Sequence, residues 1–332
     1  MTGLKRGAIV AAILGLVGAT VVAGYIGFGQ VFQALARIGW RGLAVLVVYS
    51  ALPYALLGTA WFCLEKPWRA RRWPIFAWAR MVRDASGELL PFSHLGGLVF
   101  GARVAVLQGL APAWAFATTT VDVSAELVAQ VIFTLVGLAL LFVRLDPRSG
   151  LAGPAVAGVA LTAAGVAGFI VVQRRGMGLI TGLIGKAVPA AADVAAEAGD
   201  MIVGLHRRPA RFALAVLIHL AAWIASALGA WLALRIAGVP IDPFNILGLE
   251  ALVMAVRSAV FVAPMGVGVQ EASYALLGPL FGLGPDLALA LSLIKRAREL
   301  TVGLPVLAIW QTMEGRRLIG RGRGDEAGLP RI

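Results

Sequence analysis

An all-α polytopic membrane fold is the class this sequence predicts, with about six full spans and two broken helical hairpins in an inverted pseudo-repeat. Three observations carry the prediction. The 332 residues are 60% hydrophobic and only 14% charged, with a mean hydropathy of +0.87, and a soluble domain so apolar could not cover its surface with polar groups. Six apolar segments, at about 8–28, 42–63, 113–143, 151–172, 211–236 and 286–311, are each long enough to cross a bilayer as a helix. Two 22-residue stretches, PFSHLGGLVFGARVAVLQGLAP from Pro91 and PMGVGVQEASYALLGPLFGLGP from Pro264, repeat one proline-bounded, glycine-broken pattern at an offset of 173 residues. The chain 1–332 reads as a single transmembrane domain.

The first segment follows Lys5 and Arg6 and runs to Phe28 without a small-residue cleavage site, so it reads as an uncleaved span rather than a signal peptide. The second, 42–63, leads into a basic loop at 64–83. The segments at about 75–111 and 244–284 are apolar but interrupted by proline and glycine. Each reads as a helix–break–helix hairpin, crossing fully or re-entering. Between them lie the spans 113–143, 151–172 and 211–236, with interfacial helices on the cytoplasmic surface at about 173–210. Three spans are an odd number, so the two hairpins enter from opposite faces. The pseudo-repeat halves, about 75–145 and 244–311, are therefore inverted, an architecture in which broken helices meet near the midplane around a substrate. The last span, 286–311, precedes a basic tail.

Charge sets the orientation. The N-terminus, the 64–83 and 173–211 loops and the tail hold 19 Lys and Arg, against 5 in the opposite loops, which puts both termini in the cytoplasm. The net charge of +12 suits that topology and anionic headgroups rather than nucleic acid. The one cysteine, Cys63, excludes an internal disulfide and a cysteine zinc site. The three histidines, His94, His206 and His219, lack metal-ligand spacing, and no nucleotide, zincin or nucleophile-elbow motif is present, so no cofactor or metal is expected.

Five basic residues fall inside apolar segments: Arg103, Arg257, Lys295, Arg296 and Arg298. Thr118, Asp122, Glu126 and Gln130 recur every four residues and form one helix stripe. A mid-bilayer charge costs roughly 2.5–3.5 kcal/mol, so the stripe cannot face lipid. It is either a structural ion-pair partner or a polar pathway, and the two readings are compatible. The 173-residue offset aligns Asp122 with Lys295 and Glu126 with Glu299. The expectation is that Asp122 and Glu126 face Arg296 or Arg298 across a central polar cavity, with Glu271 and Arg103 nearby, while Lys295 pairs with Glu299 across one turn. Glu88, Pro91, Gly96, Gly97 and Arg103 mark the first break; Arg257, Pro264, Gly266, Gly268 and Glu271 mark the second. Pro91 and Pro264 are expected to end helices within the membrane, leaving Gly96, Gly97, Gly266 and Gly268 in non-helical backbone. Arg83 closes the basic run that begins at Lys66, ahead of the first break.

Arg83-Asp84, Leu89-Leu90-Pro91, Gly96-Gly97, Gly101-Ala102-Arg103, the stretch from Val121-Asp122 to Gln130, Pro264-x-Gly-x-Gly-x-Gln-Glu271 and Leu293 to Gly303 together carry a resemblance. Over about 40–311 the chain resembles the hopanoid-biosynthesis-associated membrane proteins (HpnL type), which belong with the flippase-like transmembrane region of lysylphosphatidylglycerol synthases. Relatives often place an acidic residue after the paired glycines, where this chain has Leu98. The resemblance implies a lipid flippase or translocase of a bacterial inner membrane, handling a hopanoid-related lipid or an anionic or zwitterionic phospholipid, with lipid-biosynthetic enzymes as partners. A membrane-embedded lipid-modifying transferase and a non-catalytic scaffold are the competing readings, and transport is favoured over enzymatic activity.

Overall fold

The computed structural model describes residues 28–65, 67–89, 93–143, 160, 192–259 and 269–326. Among them there is no strand; ten α-helices account for nearly all of the described chain. Three helical stretches are long and apolar enough to cross a membrane: Ala36–Phe62, Pro112–Phe142 and Pro209–Ile236. Of the six expected spans, those at 8–28 and 151–172 lie outside the described residues, apart from residues 28 and 160.

Helix α1 spans Phe28–Tyr49 and α2 spans Ala51–Phe62. The helical structure thus begins well before the expected start at 42. Gly39 divides α1, with φ at +66°, a conformation open mainly to glycine. The break at Ser50 precedes Pro53, which has no N–H to bond the preceding turn. A 3₁₀ turn at Ala70–Arg72 leads into α3, Trp73–Leu89, and α4 follows as Ser93–Leu107. Arg80 and Arg83 are therefore buried helical residues and not part of a basic loop. The physical reason is that carboxylates await them on the neighbouring helix.

The chain leaves α4 through Gly109, at φ +98°, with Leu110 N–H bonded to the Ala105 carbonyl at 3.1 Å, a glycine helix stop. Helix α5, Pro112–Phe142, starts on a proline preset for the first helical turn. Of the expected interfacial segment, 173–191 lies outside the described residues. Its remainder forms α6, Ala192–His206, which packs against α5 through buried Ala198, Ile202 and Leu205. Helices α7, Pro209–Ile236, and α8, Pro243–Ala259, follow, then α9, Val269–Leu277, and α10, Pro285–Glu326. Helix α10 carries Pro305 in its interior and extends past the expected end at 311 into the tail.

Helices α3 and α4 lie side by side, and α8 packs against α9, at the positions of the two expected hairpins. The packing then crosses over. Helix α3 rests on α10, while α8 rests on α5. Glycines allow both approaches: a Cβ at Gly303 would come within 2.6 Å of Leu89, and one at Gly137 within 2.6 Å of Ala251. Without a hydrophobic drive between helices in lipid, such small-residue contacts hold spans together. Among the described residues the apolar core divides in three: one part around Trp61, Phe76 and Val121, one around Ile246, Tyr274 and Leu291, and a smaller one around Phe133 and Trp223.

Candidate functional site

Helix periodicity explains the first charged cluster. On α5, Asp122 and Glu126 are four residues apart, and on α3, Arg80 and Arg83 are three apart, so each pair shares one helix face. The faces meet. Arg80 donates from Nη1 to Asp122 Oδ2 at 3.2 Å, from Nη2 to Glu126 Oε1 at 2.5 Å, and from Nε to Asp84 at 3.0 Å. Arg83 donates to Asp122 Oδ2 at 2.8 Å and to Glu126 Oε2 at 2.6 Å. From α7, His219 Nε2 lies 2.9 Å from Asp122 Oδ1; an ionised carboxylate only accepts, so Nε2 carries the proton and donates. Asp122 is fully buried, and two forked guanidinium groups close over the carboxylates in the geometry arginine favours.

The register of α4 protects this lock. A Cβ at Gly97 would stand 2.7 Å from the Arg83 carbonyl oxygen, and one at Gly101 would stand 3.0 Å from Arg83 Cβ. The two glycines, four apart, let α4 lie directly on the backbone of α3 at Arg83. Gly96 and Gly97 are thus helical and not part of the break as expected; Gly97 serves helix contact instead.

The second cluster is built on α10. Lys295 bonds Glu250 of α8 and the Tyr274 hydroxyl of α9, the latter at 2.7 Å, and Tyr274 itself donates to Glu250. Lys295 does not pair with Glu299 across one turn. Glu299 instead lies between Arg296, at 3.4 Å, and Arg298, at 3.8 Å, while Arg296 reaches Glu271 at 3.4 Å. Those distances are at or past the limit of a good hydrogen bond. Arg296 is only 1% exposed, yet its Nε has no partner among the described residues. Glu88, at the end of α3, is within electrostatic range of Glu299, Arg257, Arg298 and Asp84.

The expected pairing of Asp122 and Glu126 with Arg296 or Arg298 is therefore replaced by pairing with Arg80 and Arg83. Glu271 lies beside Arg296 as placed. Arg103 does not join it: its side chain is 47% exposed and bonds Glu314 at 2.6 Å. Gln130 donates to Ser258 Oγ at 2.6 Å and to the Met254 carbonyl at 3.2 Å, tying α5 to α8. Pro91, Pro264, Gly266 and Gly268 lie outside the described residues. Sequence reasoning missed Arg80, Asp84, His219, Glu250 and Tyr274 as site residues. The spacing Arg80-x-x-Arg83-Asp84 matches the α5 stripe and was the available signal, hidden by counting both arginines as loop charge. Among the described residues, no group of three or more His, Cys, Asp or Glu is disposed to hold a metal ion.

Comparison with known families decides the relationship, because the lysylphosphatidylglycerol synthase TM region matches residues 8–306. The chain belongs to that family. It is a multi-pass membrane protein of a lipid-related class. No curated protein and no solved structure matches it.

Proposed function

We propose that this member of the lysylphosphatidylglycerol synthase TM region family is a lipid flippase or translocase. The observation that carries the reading is the contrast between the two charged clusters. In the first, every carboxylate is held by short, forked bonds, a closed arrangement suited to locking helices. In the second, Lys295, Glu250 and Tyr274 are closely bonded, but Arg296 and Arg298 meet Glu271 and Glu299 only at 3.4–3.8 Å, with one Arg296 guanidinium nitrogen unmatched among the described residues. Burial without saturated bonding is costly, and a headgroup passing through would supply the missing partners. Its phosphate would bond Arg296 and Arg298, and a cationic group would meet Glu299 or Glu88. Ionisable residues inside a membrane mark such pathways.

Three features support an inverted repeat behind this site. Helices α5 and α10 open on Pro112 and Pro285, 173 residues apart. The hairpin helices pack crosswise, α3 on α10 and α8 on α5. At the aligned positions Asp122 and Lys295, each charge pairs with the first hairpin helix of its own half, with the polarity exchanged: Asp122 with Arg80 and Arg83, Lys295 with Glu250. On this reading the chain has about six spans and lies in a bacterial inner membrane with both termini cytoplasmic. The resemblance to the HpnL type favours a hopanoid-related lipid, with headgroup-bearing phospholipids as the alternative cargo. The test is headgroup translocation in proteoliposomes of purified protein. The reading predicts transfer well above protein-free vesicles. Transfer equal to the blank for both lipid classes, alongside modification of a lipid acceptor, would replace it with the transferase reading.

A further inference from the structure

A cleft of about 460 Å³ opens on one flank of the molecule, between α2, the 3₁₀ turn, the start of α3 and α7. Its volume is in the range of small-molecule sites, about 300–1,000 Å³. Phe62, Cys63, Trp68, Trp73, Leu214 and Ile218 line it. The hydroxyl of the lining residue Thr59 is already used: it accepts from Trp73 Nε1 at 2.9 Å and donates to the Ala55 carbonyl at 2.7 Å. The cleft lies between two stretches long and apolar enough to cross a membrane, at the end of Ala36–Phe62 and the first half of Pro209–Ile236, which sets it near one bilayer boundary. Trp68, 60% exposed, stacks on Phe62 at its edge, as an aromatic ring at the membrane–water boundary does.

The turn that forms one wall of the cleft, Ala70–Arg72, is rich in arginine. The fully buried carboxylate of Glu65 accepts from Arg72 Nη1 at 2.6 Å and from Trp114 Nε1 at 2.6 Å, and its backbone carbonyl accepts from Arg211 Nη1 at 2.8 Å. These bonds draw the 3₁₀ turn and the start of α7 together. Arg69 and Arg71, which flank the lining residue Ala70, are exposed, with Glu65 already satisfied by its own partners. An apolar slot beneath exposed arginines, at a bilayer boundary, matches an acyl chain carrying a phosphate of net negative charge.

We propose that this cleft is a binding site for an anionic phospholipid, with one acyl chain between Phe62, Trp73 and Leu214 and the phosphate at Arg69 and Arg71. The site lies apart from the charged clusters of α5 and α10, and it stands whether or not the protein translocates lipid. The probe is phosphatidylglycerol carrying a photoactivatable diazirine on its acyl chain, set against the same probe on phosphatidylcholine. Full-length protein is placed in phosphatidylcholine nanodiscs, irradiated, and its adducts mapped by peptide mass spectrometry. The phosphatidylglycerol probe should label the peptides bearing Phe62 and Leu214 at least about fivefold more than the phosphatidylcholine probe, from the field of the surface arginines. The double variant Arg69→Gln, Arg71→Gln should reduce that preference below about twofold. Leu214→Trp should remove the labelling with both probes, and Ala70→Phe fills the slot from the opposite wall if Leu214→Trp does not fold. Equal labelling by the two probes, labelling undiminished by either filling variant, or a crosslink between protein copies through the cleft would overturn the proposal.

Discussion

Replacing Arg80 by Gln removes the guanidinium that joins Asp84, Asp122 and Glu126. The remaining Arg83 then faces two buried carboxylates, and Asp84 loses its bonded partner. Breaking one member of a buried pair costs about 3–5 kcal/mol, which corresponds to two to four orders of magnitude in the folding equilibrium at about 1.4 kcal/mol per tenfold. Arg296→Gln should cost clearly less. Its bonds are long, Glu299 keeps Arg298 at 3.8 Å, and the side chain of Glu271 is 19% exposed and partly reached by water. Cys63, the sole cysteine and 2% exposed, supplies the assay, because a thiol-reactive fluorophore reports its exposure as detergent-solubilised protein is heated. Arg80→Gln should lower the unfolding temperature sharply, and adding Glu126→Gln should return part of the loss. If Arg80→Gln unfolds like the parent protein, or Arg296→Gln proves the more damaging change, the division into a lock and a loosely held site is wrong.

Further outcomes follow from the same geometry. Lys295→Met should destabilise by about 3 kcal/mol by stranding Glu250, and the double variant Glu250→Leu, Lys295→Met should recover most of it, read by the same thermal assay. Gly97→Val drives a side chain into the Arg83 carbonyl and should cost at least about 1–3 kcal/mol, whereas Gly204→Ala, with nothing within 4 Å of its Cβ, should be neutral or stabilise by up to about 1 kcal/mol. Arg103→Ala, breaking a half-exposed pair with Glu314, should change stability by less than about 1 kcal/mol.

The helical membrane class was legible from composition, because apolar content alone excludes a soluble core. Helix starts at Pro112, Pro209 and Pro285 were also legible, since a proline favours the first turn. The α5 stripe was found from its fourfold spacing, and the need for a compensating charge followed from burial cost. The identity of that charge did not follow. Arg80 and Arg83 lie in a run of aromatic and basic residues that reads equally well as a solvated anchor, and only the packing of α3 on its neighbours turns the run inward. Lys295 had an acidic residue one turn away and bonds a more distant one, because Glu250 and Tyr274 approach it from two other helices. Local spacing carries no information on that approach. Gly97 was read as backbone freedom; its use is contact distance to the Arg83 backbone, which depends on how α4 packs on α3 and not on local sequence.

The most direct test of the account is headgroup translocation by Arg296→Gln protein in proteoliposomes, measured beside its unfolding temperature. The account predicts that transport is lost while the protein inserts and retains most of its thermal stability. Wild-type transport by well-folded Arg296→Gln protein would contradict it, and would remove the loosely paired cluster of α9 and α10 from the pathway.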